Sequence, residues 1–321
     1  MGRYIIRRML INIPVIWLII TLVFFATSVL PGDFVAQRIA AANPLGGQDQ
    51  AAQIAQVKKD LGINQPLPQR YVNYLWHTVR GDLGTSYRTR RPAINDFKAG
   101  LPYTLQLSIM ALIVGLSISL PVGIISAIKQ DTPTDYGLRF FAILGVAAPS
   151  FWVATLMLLL VVRYQWWTID LIGQPLLWQS PLASLKLYSI PALAGGIASG
   201  AAVMRLLRSQ MLEVLRQDYI RTAWSKGLRQ RVIIVRHALK NAMIPVLTII
   251  GLTIASLISG NVVFEYLFGI PGIGSRILTA ITARDVPVVQ AFVLIIATFV
   301  VMVNLAVDVL YGWLDPRIQY S

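Results

Sequence analysis

The sequence predicts an all-α integral membrane protein with six transmembrane helices and both termini in the cytoplasm. Of the 321 residues, 56% are hydrophobic and only 13% are charged, whereas about 25% of residues are charged in an average soluble domain. A helix needs roughly 20 apolar residues to cross a bilayer, and six runs in this chain approach or exceed that length. The runs cover residues 9–30, 101–128, 140–162, 189–207, 242–263 and 286–313.

The first run could be mistaken for a signal peptide, because such peptides are also N-terminal and apolar. Its apolar core is too long for a signal peptide. It ends in Leu30-Pro31-Gly32-Asp33 rather than in the small residues of a cleavage site. We therefore predict an uncleaved first span.

The remaining runs are each predicted to form one spanning helix, although they are not equally apolar. Run 189–207 is the weakest, because three glycines dilute it. Gly196 and Gly200 are spaced for close contact between helices, and a role in lining a path is secondary. Prolines punctuate the runs, among them Pro14, Pro121, Pro149, Pro191 and Pro245. A proline removes a backbone donor and tends to kink a helix, but membrane helices contain proline often, so ordinary bundle packing is the first interpretation.

Basic residues in the short segments that flank the apolar runs determine the predicted orientation, since Lys and Arg concentrate on the cytoplasmic side of a membrane. Arg3, Arg7 and Arg8 precede the first run, which places the N-terminus inside. Six crossings then return the C-terminus, with Arg317, to the same side. The segment 205–240 also falls inside and holds nine Lys or Arg against two acids, a net of +7 and half of the chain's +14.

The segment 31–100 falls outside in this topology and is too long for a mere connection. It has helical patterning around residues 50–61 and 69–79. The predicted organisation is therefore a cytoplasmic N-terminus and first helix at 1–30, an extracytoplasmic subdomain at 31–100, and a core of five transmembrane helices at 101–321. Segment 265–287 is either a partly re-entrant loop or a capped turn followed by a surface helix.

Several classes of chemistry are excluded by missing residues. The chain has no cysteine and only two histidines, so it offers no thiolate site and no clustered histidine ligands. It also lacks a GxxxxGK[ST] loop for nucleotide phosphates, a paired-carboxylate motif and a GxSxG nucleophile elbow. The positive charge does not indicate nucleic acid, because no aromatic residues interleave with it.

One acid stands well inside an apolar run. Asp308 follows Asn304 by four residues and so shares its helix face. An acid inside a membrane is costly and is a candidate functional site. Asp308 lies near the inner end of its span, however, so a structural hydrogen bond between helices is the leading interpretation, and gating or proton coupling is the alternative.

The segment DYIRTAWSKGLRQRVIIVRHALKNAMIP, residues 218–245, lies between two spanning runs and is basic and amphipathic. Its apolar positions recur at helical spacing, which favours short helices along the membrane face. Gly227 is placed to end one of them. From the residues alone this segment could be a docking surface for a cytoplasmic partner or a basic turn attracted to anionic lipid.

The motifs of this segment resemble the EAA loop of ABC-importer permeases, in the form found in the dipeptide, oligopeptide and nickel importer family. The loop occupies residues 209–245, and the matching letters are RTA at 221–223 with Gly227, and RHALKNAMIP at 236–245. The similarity continues along the chain. Further matching stretches are LPGD at 30–33, LGINQPLPQRYVNYL at 61–75, GDLGTSYRTRRP at 81–92, APSFW at 148–152, FGIPGIG at 268–274, ARDVPVVQ at 283–290 and VDVLYGWLDPRIQY from 307.

This resemblance implies a type I importer permease and a set of partners. Such a permease pairs with a second, similar permease, which family resemblance suggests is a different chain. Two cytoplasmic ATPase subunits supply the drive and hold the ATP and Mg²⁺, so no cofactor is expected in this chain. A substrate-binding protein delivers the cargo, and segment 31–100 is expected to help dock it. The implied contacts with the ATPase are Asp218, Tyr219, Arg221, Thr222, Ala223, Lys226 and Gly227.

The sequence thus predicts the permease subunit of an ABC importer for dipeptides or oligopeptides in a bacterial or archaeal inner membrane. Two other classes are considered. An ion-coupled secondary transporter would have an inverted repeat and paired charges inside the membrane, and neither is visible. A non-transporting scaffold would use the basic loop only to recruit a partner. The cargo cannot be read from the chain, since relatives also carry glutathione, nickel chelates or oligosaccharides.

Overall fold

The computed structural model describes residues 2–29, 55–56, 64–168 and 173–314. Within these ranges the regular structure is helical apart from one isolated bridge between Thr85 and Pro92. In chain order the helices are α1 (Gly2–Val29), α2 (Leu67–Val79), α3 (Ala93–Ile128), α4 (Pro133–Ala147), α5 (Ser150–Tyr164), α6 (Pro181–Leu215), α7 (Asp218–Ser225), α8 (Lys240–Gly260), α9 (Val262–Leu267), α10 (Ile273–Thr282) and α11 (Val286–Leu314). One turn of α-helix, Gln230–Val232, and a π-helix, Ile233–Leu239, lead into α8.

The described helices confirm a protein with several membrane spans. Five are long and apolar enough to cross a bilayer, and the bent pair α4 and α5 makes a sixth if the two are counted as one span. The five candidate spans are Met9–Ser28, Ala93–Ile128, Pro181–Leu215, Gln230–Leu257 and Val286–Ala306. Most of the predicted extracytoplasmic subdomain before residue 64, with the helical pattern at 50–61, lies outside the described residues, as does the terminus from 315.

The run 140–162, predicted to form one spanning helix, is a bent pair of helices in the structure. The chain bends by 99° between α4 and α5, at Ala148 and Pro149, where both residues have extended backbone angles (ψ 131° and 123°). Pro149 has no N–H to donate, and its ring disfavours helical geometry at the residue before it. Prolines elsewhere, such as Pro121, Pro191 and Pro245, lie inside continuous helices.

Helix α6 is the most buried of the spans, which explains why its sequence is the least apolar. In its most apolar window 61% of the residues are buried, against 17–28% in the other four candidate spans. It packs against α4, α5 and α8. A helix surrounded by protein rather than by lipid can contain glycine and serine without exposing polar backbone to hydrocarbon.

The glycines of α6 allow α3 to approach it backbone to backbone. A Cβ atom added to Gly196 would lie 2.6 Å from the carbonyl oxygen of Ala111, and one added to Gly200 would lie 2.8 Å from that of Gly115. Neither site has room for a side chain. The predicted role of Gly196 and Gly200 in close helix contact therefore matches their positions, as in small-residue packing between membrane helices generally.

By their contacts the residues group into two compact units. One comprises residues 1–6, 101–274 and 299–321, and the other comprises 7–100 and 275–298. In the second unit Phe24 packs against the rings of Tyr71 and Tyr74, and Gln290 donates a 2.7 Å hydrogen bond to Thr27. These contacts hold α1, α2 and the start of α11 together.

Two motifs that are distant in sequence meet in this second unit. The carboxylate of Asp285 accepts hydrogen bonds from the hydroxyl of Ser86 (2.5 Å) and from the backbone N–H groups of Tyr87 (2.9 Å) and Arg88 (3.2 Å). Asp285 and Ser86 are both buried. These hydrogen bonds therefore hold together the stretch GDLGTSYRTRRP and the stretch ARDVPVVQ.

We expect Asp285→Ala to loosen this contact between the two stretches, because three donors lose their acceptor. One of them, the Ser86 hydroxyl, is buried, and a buried donor left unsatisfied costs about 1–3 kcal/mol. Arg88 and Arg90 are exposed residues of the loop, so limited trypsin digestion should cleave there several-fold faster. Asp82→Ala is the matched control, since the Asp82 carboxylate binds Gly84 N–H and His77 in an exposed position. Equal cleavage rates in the two variants would contradict the prediction.

Candidate coupling surface

Helix α7 is a short amphipathic helix between the end of α6 and the π-helix. It begins after Gln217, whose backbone is extended (φ −73°, ψ 149°), and Asp218 in its first turn has the charge that a helix N-terminus favours. It ends because Gly227 adopts φ +72°, a left-handed conformation that glycine reaches without strain. The predicted helix end at Gly227 is confirmed.

The inner face of α7 belongs to the core of the first unit. Ile220 is 1% exposed and Ala223 is 7% exposed, and their spacing of three residues puts them on one side of the helix. They join a cluster that includes Leu207 and Met211 of α6 and Ile233 of the π-helix. This cluster attaches α7 to the ends of two spans.

The outer face of α7 presents most of the predicted contact residues to the surface. The side chains of Arg221 and Asp218 are 76% and 97% exposed, and their 3.5 Å ion pair is weak at such exposure. Thr222, Lys226 and Gly227 are exposed as well. Apart from Ala223, the seven predicted contact residues are thus available to a partner.

Ala223 is placed differently from the other six. It points into the protein's own core, so its small side chain lets α7 lie close to α6 and the π-helix. The structure thus gives Ala223 a packing contact within the chain, and the predicted contact with a partner is not tested for any of the seven residues.

Tyr219 ties α7 to the start of α8. Its hydroxyl oxygen accepts a 2.8 Å hydrogen bond from the Asn241 amide, which also donates to the carbonyl of His237 at 3.1 Å. The π-helix between them has wider turns than an α-helix, a feature often found at functional positions. Tyr219 remains 44% exposed, so its ring can still be touched from outside.

The exposed charge around α7 is strongly positive. The exposed basic residues from the end of α6 to the start of α8 are Arg216, Arg221, Lys226, Arg229, Arg231, Arg236 and Lys240. The exposed acids in the same stretch are Glu213 and Asp218. This imbalance fits the cytoplasmic side of a membrane and would attract an acidic surface.

The predicted pair Asn304 and Asp308 lies on α11. Asn304 is exposed on that helix, and the side chain of Asp308 lies outside the described residues. Their proposed contact with another helix therefore stays a prediction.

Besides Asp285, two further buried acids were missed by the sequence reasoning, which recognised only Asp308 inside a span. Asp135 in α4 and Glu265 in α9 are both fully buried. A signal for Asp135 was present, since Thr132 stands three residues before it in a helix-capping pattern. Its partner Arg208 lies 73 residues away along the chain, so no local pattern could have identified the pair.

Glu265 explains the glycines of the FGIPGIG stretch. Its carboxylate accepts a 2.5 Å hydrogen bond from Thr104, whose hydroxyl in turn accepts from the N–H of Ile273 at 2.8 Å. A Cβ atom on Gly272 would collide with the carboxyl group of Glu265, so only glycine fits beside it. In the structure this segment contains a turn followed by the ten-residue helix α10, and the choice between a partly re-entrant loop and a surface helix stays a prediction.

The spans, the buried glycine-rich α6 and the short amphipathic helix between two spans define a membrane transport subunit with the type I importer permease fold. A crystal structure of an amino acid ABC transporter with histidines shares this fold with a TM-score of 0.50, at 15% identity over 70% of this chain and 95% of that chain. The chain belongs to the family described as "binding-protein-dependent transport system inner membrane component". That family's model matches residues 119–320, and the model of its N-terminal part matches residues 1–108.

Full-length relatives agree with this assignment. The chain is 38% identical to the dipeptide transport system permease protein DppB of Alkalihalophilus pseudofirmus and 35% identical to that of Escherichia coli K12, covering all of each chain. It is 34% identical over full length to a putative peptide transport system permease protein of Brucella abortus. The protein is therefore an inner membrane permease subunit without an ATPase site of its own, and it works with ATPase and binding-protein partners.

Proposed function

We propose that this chain forms half of the translocation path of an ATP-driven importer of dipeptides or oligopeptides. The other half is a second permease, which we propose is a different homologous chain. Two ATPase subunits bind below, hold ATP and Mg²⁺, and each receive one coupling helix. In this chain the coupling helix is α7.

The geometry of α7 carries this proposal. A helix of eight residues has too little internal stability to persist alone in water, and here its inner face is anchored in the protein core. Its outer face is polar and basic and lies between the ends of two spans. Such a helix can lie in a groove of a partner, which recognises it through a few side chains at helical spacing.

The mechanism that we propose depends on the packing of the inner face of α7 against the protein core. When the ATPases close on ATP, they push the coupling helices of the two permeases towards each other. Because α7 is packed on α6 and on the π-helix that leads into α8, the push moves these spans as rigid bodies. The path then changes from facing inward to facing outward, where the binding protein delivers the cargo.

The peptide cargo rests on the relatives whose names specify dipeptide or peptide transport. We propose that the outer segment 31–100 helps to dock the binding protein, and that Asn304 and Asp308 make a polar contact with a neighbouring helix. Specificity would then lie largely in the binding protein, so this chain needs no selective peptide pocket.

The test is isolation of the tagged chain from its native membrane, combined with uptake of a labelled dipeptide by cells with and without it. We expect two ATP-binding subunits and a second permease to co-isolate, and uptake to fall by more than about tenfold without the chain, since a transport path that lacks half its wall cannot alternate access. Loss of the ion gradient with ATP kept constant should leave uptake unchanged.

Each alternative class has its own outcome. If uptake collapses with the ion gradient and no ATPase co-isolates, the protein is a secondary transporter. If partners co-isolate but the chain's deletion does not alter import of any peptide carried by the binding protein, the scaffold alternative replaces the proposed function.

A further inference from the structure

A buried ion pair joins α4 to α6 close to the core that anchors α7. The guanidinium of Arg208 donates to both oxygens of the Asp135 carboxylate, from Nε at 2.9 Å and from Nη2 at 2.6 Å. The Asp135 side chain is fully buried, and that of Arg208 is 17% exposed. Bidentate pairs of this kind hold both the distance and the orientation of their partners.

The same carboxylate also holds α3 and the turn before α4. The hydroxyl of Ser126, near the end of α3, donates to Asp135 Oδ1, and the Nε of Arg208 lies 3.1 Å from the Ser126 oxygen. The backbone N–H of Asp131 donates to Asp135 Oδ2 at 3.2 Å. Every partner of Asp135 except Arg208 therefore belongs to α3, to α4 or to the turn that joins them.

Arg208 stands at the point of α6 where α7 is attached. Its neighbour Leu207 and the residue three positions later, Met211, are fully buried in the cluster that contains Ile220 and Ala223 of α7. A displacement of α7 would therefore be transmitted to α6 through Leu207 and Met211. Arg208 lies on the same stretch of α6 and binds Asp135. The route from α7 to α4 runs through about one turn of one continuous helix.

Helix α4 forms one wall of an apolar cavity of about 630 Å³ at the bend before α5. Leu138 and Phe141 of α4 line it together with Ile197 and Ala201 of α6. Beside this cavity α4 and α6 are in direct contact, since a Cβ atom added to Gly145 would lie 3.3 Å from the Ile197 side chain. The ion pair near the other end of α4 adds an oriented, charge-assisted link to this apolar packing.

We propose that the Asp135–Arg208 ion pair is the positioning link that makes α4 move with α6 when the coupling helix is displaced. Without the pair, closure of the ATPases would still move α7 and α6, but α4 and the bend at Pro149 would no longer move with them. ATP would then be hydrolysed with less transport. This inference rests on the proposed function, in which α7 is the coupling helix.

The test uses the complete transporter reconstituted in liposomes, with the paired double variant Asp135→Asn/Arg208→Gln. The double variant removes both charges, so it leaves no unpaired charge in the interior, and it keeps similar side-chain volumes. We expect assembly and basal ATP hydrolysis close to wild type, with peptide imported per ATP reduced by about tenfold, the change that loss of a charge-assisted link of ordinary strength produces.

A distance measurement distinguishes an ion pair that makes α4 move with α6 from one that only stabilises the fold. The chain has no native cysteine, so spin labels can be placed specifically at two exposed positions, Phe140→Cys on α4 and Arg205→Cys on α6. In the wild-type pair background we expect the distance between the labels to stay the same with and without trapped ATP. In the double variant we expect it to change between the two states.

The outcomes are distinct. A double variant with wild-type import per ATP and an unchanged label distance overturns the proposal, and so does one whose yield falls while import per ATP is unchanged. If the double variant does not assemble, Arg208→Lys and Ser126→Ala replace it, and wild-type coupling in both overturns the proposal. If the wild-type complex itself imports no peptide, the proposed function fails, whereas the ion pair's effect on the label distance can still be measured.

Discussion

Replacement of Gly227 by aspartate is expected to abolish most of the import while leaving the protein assembled in the membrane. Gly227 has φ +72°, and a Cβ atom added there meets nothing within 4 Å, so the new side chain projects from the outer face without a clash. Aspartate tolerates the left-handed conformation better than most residues. It does, however, place bulk and a negative charge at the C-terminal end of α7, where the helix dipole disfavours an anion.

We expect import to fall by about tenfold or more, because a misfit of only about 1.4 kcal/mol at a contact changes its occupancy tenfold. Gly173→Asp is the matched control, since Gly173 has the same φ of +72° and the same open space around it but lies outside the coupling segment. Gly227→Asn separates bulk from charge. Equal import in the two aspartate variants would show that α7 does not couple the ATPases to transport.

Replacement of Gly196 by alanine is expected to cause a large loss of stability. The added methyl group would lie 2.6 Å from the carbonyl oxygen of Ala111 and 2.9 Å from the backbone nitrogen of Gly115. Both are backbone atoms, so α3 and α6 must separate to admit the methyl. Overpacking of this kind costs about 1–3 kcal/mol or more, and α6 is the most buried span, with neighbours on several sides.

The measurement is the apparent melting temperature of the purified protein in detergent, followed by the loss of the monodisperse peak. Gly137→Ala in α4 is the matched control, because that glycine is also helical and nothing lies within 4 Å of an added Cβ. Alanine favours a helix over glycine by about 0.5–1 kcal/mol, so this control should melt at the wild-type temperature or slightly above. A Gly196→Ala variant that melts with the control would show that the helices are not in close contact.

The spans and the amphipathic character of α7 could be predicted because they depend on properties of neighbouring residues. Apolar length indicates a span, and the helical spacing of apolar and charged residues in 218–225 indicates an amphipathic helix. The bend at Pro149 could not be predicted, although the proline was visible. Other prolines, among them Pro121, Pro191 and Pro245, lie inside continuous spanning helices. The carbonyl that a proline leaves unpaired can be satisfied by its surroundings, and those surroundings are tertiary.

The buried acids show the same limit. Asp135 with Arg208 and Glu265 with Thr104 are 73 and 161 residues apart along the chain. In the sequence, Asp135 lies between the apolar runs 101–128 and 140–162, and Arg208 lies in the basic segment 205–240. Only the packing of α4 on α6 places the two charges together and away from water.

The sequence by itself determined the class of protein, the number of apolar segments able to cross the membrane, and the amphipathic character of residues 218–225. Each of these follows from hydrophobicity summed along a short stretch or from the period of a helix. The tertiary structure decided that the least apolar span is the most buried one, that Ala223 faces the protein interior, and that the third apolar run is bent. These features depend on which distant residues approach each other, because a side chain's burial and a proline's effect are set by neighbours in space.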